Sequence, residues 1–140
     1  MNWTRFALTV LIGGTVVSTT DWLVTGVLFH DKYKAYPEVW RTAEQGFSES
    51  RAIAWTILLV FLTCAVFTYV CRHFDIHGFS RIVQLAVYMW LAVTVPMAVA
   101  EGLFLKLHPM VVVSHLLSWG VKLILLSLAI SLIGDTARAS

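Results

Sequence analysis

Residues 110 to 134 read MVVVSHLLSWGVKLILLSLAISLIG, an apolar run that carries a single full charge, Lys122, near its middle. The run is long enough to cross a hydrocarbon core, which demands about 20 residues of helix. Lys122 lies about 18 Å of helix from either end, and a lysine stem reaches only about 6 Å, so snorkelling alone does not bring its ammonium to water. A central lysine costs about 2.5 to 3.5 kcal/mol on insertion scales, so it calls for a partner or a wet cavity. The stretch is therefore read as a membrane span with a polar inner face.

The rest of the chain agrees. Of 140 residues, 59% are hydrophobic and 13% charged, a balance far more apolar than a soluble domain. Three further runs have spanning length, residues 6–29, 52–71 and 82–105, which with 110–134 gives four spans and a single integral membrane domain covering 1–140. The predicted fold is all-α, a four-helix transmembrane bundle with a short interfacial helix between spans 1 and 2. The first run is longer than a signal-peptide core and lacks a small-x-small site, so it is read as a retained span. A net charge of +2 without a basic block offers nucleic acid no surface. Cys64 and Cys71 are about 10 Å apart along one helix, too far for a disulfide.

The one substantial loop is DKYKAYPEVWRTAEQGFSES, from Asp31 to Ser50. Pro37 suits the first turn of a short helix through Glu44, with Gly46 as its stop. Tyr33, Tyr36 and Trp40, with Val39 and Phe47, give this segment an aromatic side expected along the membrane interface. Ser48 or Ser50 is the expected cap of span 2. Pro96 should kink span 3. Arg5, Arg72, Arg81 and Arg138 fall on one membrane face and Lys32, Lys34, Arg41, Arg51 and Lys106 on the other, which sets no orientation.

Counting depth from the ends pairs the buried polar residues. Asp21 and Lys122 differ by about 6 Å in depth, within a lysine's reach if spans 1 and 4 touch. Gly14, Ser18, Asp21 and Thr25 form one stripe, and His115, Ser118 and Lys122 form another. Glu101 and His115 flank His108 symmetrically, so a hairpin turning there brings them level about 10 Å below the turn, and a hydrogen bond between them is expected. The expected cluster is Asp21, Glu101, His115, Ser118 and Lys122, read first as structural pairing and second as an ion path or ligand pocket.

Weaker constellations add little. His73, Asp75 and His77 have the spacing of a chance loop cluster rather than of a metal site. His30 and His115 are each a candidate axial ligand to a haem or chlorin, but no binding motif accompanies either, so they are read first as hydrogen-bonded histidines and the cofactor is left open. No G-x-S-x-G, phosphate-cradling glycine loop or H-E-x-x-H occurs, so no enzyme class is supported.

The opening MNWTRFALTVLIGG, followed by an acid and by GVLF near the end of span 1, resembles the bacterial four-helix membrane proteins grouped as domain of unknown function 1761. Phe29-His30 stands where that family would have an aromatic pair. The resemblance implies the four-span layout and a bacterial inner membrane, and brings no activity with it. The sequence is read first as a non-enzymatic accessory or assembly subunit of a larger membrane complex; the alternatives are a small carrier or proton-linked transporter, alone or as a homo-oligomer, and a membrane-embedded enzyme or lipid- or quinone-binding protein.

Overall fold

The computed structural model describes residues 2–40 and 48–135. Arg41, the loop segment 41–44, the Gly46 stop, Phe47 and Arg138 lie outside the described residues, as do the side chains of residues 134 and 135.

Among the described residues all regular structure is helical. Helix α1, Trp3–Asp21, is capped by Asn2, whose side chain accepts from the Arg5 amide at 3.2 Å. It runs on through a π-helical turn, Trp22–Leu28, so that one span covers Trp3–Leu28. Thr25 returns its hydroxyl to the Asp21 carbonyl at 2.6 Å where the helix widens. Such back-bonding by threonine competes with the amide ladder and bends helices. A short helix, α2, His30–Tyr33, and a 3₁₀ turn, Pro37–Val39, follow. The proline opens that turn, but the expected helix through Glu44 is broken after Val39, because Trp40 takes an extended conformation and turns its indole N–H to the Tyr33 carbonyl.

Span 2 is α3, Glu49–His73. Ser48 stands at its N-cap position but makes no side-chain capping bond, so the expected serine cap is present in place only. Span 3 begins at α4, Phe79–Met89, passes through a second π-helical turn, Trp90–Thr94, and continues as α5, Val95–Phe104. Pro96 lies in the first turn of α5. Its missing N–H frees a carbonyl in the preceding turn, and the change of helical pitch there accommodates the break. Span 4 is α6, Pro109–Asp135, with the proline at its start.

The four spans have mean hydropathies of 1.4, 2.2, 1.9 and 2.1. Their outer surfaces carry exposed Leu11, Leu58, Leu91 and Leu132, while Ser114, Ser118, Lys122, Ser127 and Ser131 of α6 are buried. Apolar outside and polar inside is the distribution a bilayer requires, because lipid tails satisfy no hydrogen bond. The chain is an all-α membrane protein.

Helix α1 packs between α3 and α6, and α6 also carries α4 and α5. Around the bundle the spans therefore run 2, 1, 4, 3. Close approach is achieved with glycine: a Cβ on Gly14 would stand 2.6 Å from the Phe61 ring of α3, and one on Gly102 would stand 2.7 Å from Val112 of α6. The core of Cys64, Phe67, Cys71, Ile82, Ala86, Leu126 and Ile130 ties spans 2, 3 and 4 together on the side of the 74–78 loop. Both cysteines are buried free thiols.

Candidate functional site

Lys122 finds its partner across the α1–α6 contact. Its Nζ lies 2.6 Å from Asp21 Oδ1, and the Ser118 hydroxyl donates to the same oxygen at 2.7 Å. The two side chains are 7% and 17% exposed, so the pair is largely withdrawn from any solvent. Trp119 completes the enclosure, its ring 4.3 Å from the ammonium. Asp21 ends the regular part of α1, at the point where the π-helical turn begins. The depth count that pairs Asp21 with Lys122 thus matches the geometry.

The stripe that includes Gly14 does not match in full. Gly13 is the glycine that faces α6, against Leu126 and Ala129, while Gly14 faces α3. Helix α1 has two neighbours, and consecutive residues divide between them. The Ser18 hydroxyl is buried and has no hydrogen-bond partner.

Glu101 and His115 meet as the hairpin register requires, Oε2 to Nδ1 at 3.3 Å. With side chains 38% and 33% exposed, they form the accessible part of the cluster, in contrast to the enclosed Asp21 and Lys122. Gly102, next to Glu101, is what lets α5 approach α6 closely enough for the contact.

Residues 30–40 are fastened onto this end of the bundle. The Ser114 hydroxyl donates to the Val111 carbonyl at 2.8 Å, which leaves its oxygen to accept from the Tyr33 hydroxyl at 2.7 Å. The Tyr33 ring lies 5.9 Å from His115 and 5.7 Å from Trp40, whose indole N–H donates to the Tyr33 carbonyl at 2.6 Å. Burial pushes the Tyr33 phenol above its ordinary pKa; the Ser114 bond opposes this, and the negative charges of Asp21 and Glu101 reinforce it. Further out, Lys106 pairs with Glu38 at 2.7 Å and covers the Tyr36 ring at 4.9 Å. That contact lowers the Glu38 pKa and raises that of Lys106. Tyr33, Tyr36 and Trp40, expected along the interface, here clasp the α5–α6 hairpin.

Sequence reasoning missed Ser114 as the receiver of Tyr33. The signal was present, since Ser114 continues the Ser118 and Lys122 stripe by one more turn. It also missed Trp90, whose indole N–H donates to the Leu116 carbonyl at 3.0 Å and fixes span 3 to span 4. His30 is exposed and stands outside the cluster. His73 stacks on Tyr69 while Asp75 pairs with His77, so those three do not converge on one point.

All five residues of the expected cluster line one cleft of about 700 Å³ between α3 and the α4–α5 span. Leu59, Val66, Phe67 and Val70 of α3 form one wall, and Leu85, Met89, Val93 and Met97 form the other. Asp21, Thr25, Glu101, His115, Ser118 and Lys122 supply the polar surface. Chemically the site offers a compensated ion pair, an accessible carboxylate–imidazole pair, hydroxyl groups and long apolar walls.

No family model, curated protein or solved structure matches the chain. The likeness to the four-helix family therefore rests on the residues quoted for it, and the site is interpreted from its own geometry.

Proposed function

We propose that this membrane protein binds a bilayer-soluble amphiphile, a lipid or a quinone, in the cleft between α3 and the α4–α5 span. The observation that carries this reading is the combination of apolar walls and a polar cluster in one cleft of about 700 Å³. Ligand sites are commonly of about 300–1,000 Å³, mostly apolar, with a few polar groups that fix orientation. Glu101 and His115 are the accessible groups and hydrogen-bond the ligand's polar end. Asp21, Ser118 and Lys122 hold the surface behind them and give it a fixed geometry. The apolar tail lies between Val66 and Met97.

A second reading, an accessory or assembly subunit, is favoured by the short connections 74–78 and 105–108, which leave the helices themselves as the main surface for a partner. One experiment separates the two. The chain is purified from its native membrane in mild detergent and examined by native mass spectrometry, beside Val66→Trp, which fills the cleft from an exposed wall position. The amphiphile reading expects one retained small molecule per chain, lost in the variant. A stoichiometric larger protein with no small molecule would move the assignment to an accessory subunit. Retention of the same molecule by Val66→Trp would rule out the cleft as its site. Flux through reconstituted protein that is abolished by Glu101→Gln would instead indicate a proton-linked carrier built on the same cluster.

A further inference from the structure

The polar groups of the cleft differ in whether they can still give or receive a hydrogen bond, and that difference selects the head of the ligand. Thr25, Thr56 and Thr63 donate to the carbonyls of Asp21, Ala52 and Leu59 in their own helices, at 2.6, 2.9 and 2.9 Å. Ser118 donates to Asp21 Oδ1 at 2.7 Å. Four of the five hydroxyls that line the cleft have thus committed their protons within the protein and keep only lone pairs to offer. The fifth, Thr94, and the Trp119 indole are uncharged donors.

Acceptors, by contrast, are in surplus. Lys122 and Ser118 both bind Asp21 Oδ1, and among the described residues Oδ2 receives no hydrogen bond. Glu101 turns Oε2 to His115 at 3.3 Å and is the more exposed of the two carboxylates, 38% against 17%. A carboxylate offers about four acceptor sites, so most of this capacity is open to a ligand.

Charge and depth point the same way. Lys122 is the one lysine or arginine among the residues that line the cleft, and its ammonium is bonded to Asp21 beneath the Trp119 ring. His115, charged or neutral, faces Glu101. Among these residues no cation is left to hold a phosphate, and the Glu101 carboxylate would repel one. Asp21 also stands seven residues before Leu28, the end of its span, about 10 Å of helix inside it. A charged head drawn to that depth loses its hydration, whereas an uncharged hydroxyl loses less and offsets the loss by donating to a carboxylate.

We propose that the ligand of the cleft carries an uncharged hydroxyl head, as a lipid alcohol or a quinol does, which donates to Glu101 and to Asp21 Oδ2, and that phospholipids are excluded. This inference rests on the assignment of the cleft to an amphiphile and names the chemistry of its head.

The test is native mass spectrometry of the full chain in mild detergent, titrated with two sets of probes. The first is a diacylglycerol, its O-methyl ether and the phosphatidic acid of the same acyl chains; the second is a ubiquinol and the matching ubiquinone. At least one hydroxyl form should bind, one molecule per chain, and whichever of the two binds identifies the source. Its blocked or oxidised counterpart should bind about tenfold more weakly or worse, the loss of a hydrogen bond to a charged acceptor. Phosphatidic acid should bind more weakly than diacylglycerol. Glu101→Gln should weaken the hydroxyl form several-fold and strengthen phosphatidic acid, because the acceptor loses its charge and the repulsion goes with it. Val66→Trp should abolish all binding. Methyl ether or quinone bound as tightly as the hydroxyl form, phosphatidic acid bound more tightly than diacylglycerol, or preferences unchanged in Glu101→Gln would overturn the hydroxyl assignment while leaving an amphiphile in the cleft. Binding of none of the probes, or binding undiminished by Val66→Trp, would overturn the cleft assignment and this inference with it.

Discussion

Lys122 decides what Asp21 and Ser118 are for. Removing one member of a buried pair strands the other, which costs about 3–5 kcal/mol, whereas replacing both by apolar or neutral groups is often nearly neutral. Lys122→Met should therefore destabilise the protein by about 3 kcal/mol, and Asp21→Asn combined with Lys122→Met should recover most of that loss. Equilibrium unfolding in mixed micelles measures both; additive losses would mean that the two residues do not act as a pair. Ser118→Ala removes one bond to the carboxylate and should cost about 1.5–3 kcal/mol in the same assay. The two ionic pairs were legible in the sequence because both members lie on regular helices, where depth can be counted at a fixed rise per residue. Ser114 was legible as a further turn of the Ser118 and Lys122 stripe, but its partner Tyr33 was not, because the short segment 30–40 has no sustained periodicity to say where its side chains turn.

Helices α5 and α6 are held in register by the close approach at Gly102, by Glu101 with His115, and by the Trp90 bond to Leu116. Gly102→Leu should push the hairpin apart at a cost of about 1–3 kcal/mol. Adding Val112→Ala should return part of it, since contacting residues couple in a double-mutant cycle. The clasp formed by residues 30–40 has its own pH signature. Because Tyr33 has a raised folded-state pKa, its docking contributes stability that is fully present below the unfolded pKa of 10.0 and is lost as pH rises through the higher folded value. Ultraviolet titration should show a tyrosine component ionising above 10.0 that Tyr33→Phe reduces. If the high-pH component is undiminished in Tyr33→Phe, the Tyr33 phenol is not buried against α6. At this scale the sequence located every span, and Pro96 marked the break in span 3. It did not reveal that the break takes π-helical form, or that Gly13 and Gly14 serve different neighbours. Those outcomes depend on which helices flank α1, and one helix's own periodicity does not contain that information.

For the whole molecule, the order of spans 2, 1, 4, 3 gives the cluster its setting. Span 1 touches span 4 because Asp21 and Lys122 require it, span 3 follows span 4 through a tight hairpin, and span 2 packs on the far side of span 1. Spans 2 and 3 consequently become the walls of the cleft, joined through the 74–78 loop and the core beside it. Composition and span count made the all-α membrane bundle legible, and the polar stripes made the cluster legible. The cleft was not, since it lies between spans 2 and 3, which the packing order 2, 1, 4, 3 leaves at opposite ends, and both walls read simply as apolar helix.

The most direct test is to ask what occupies the cleft in the native membrane. A benzophenone amino acid placed at Val66 or Met97, on the cleft walls, is compared with one at Leu58, which is exposed but does not line the cleft. After irradiation and mass analysis, the cleft positions should yield one defined small-molecule adduct and Leu58 a mixture that mirrors bulk lipid. The same bulk mixture at all three positions, or crosslinks to another protein at the cleft positions alone, would contradict an amphiphile held there.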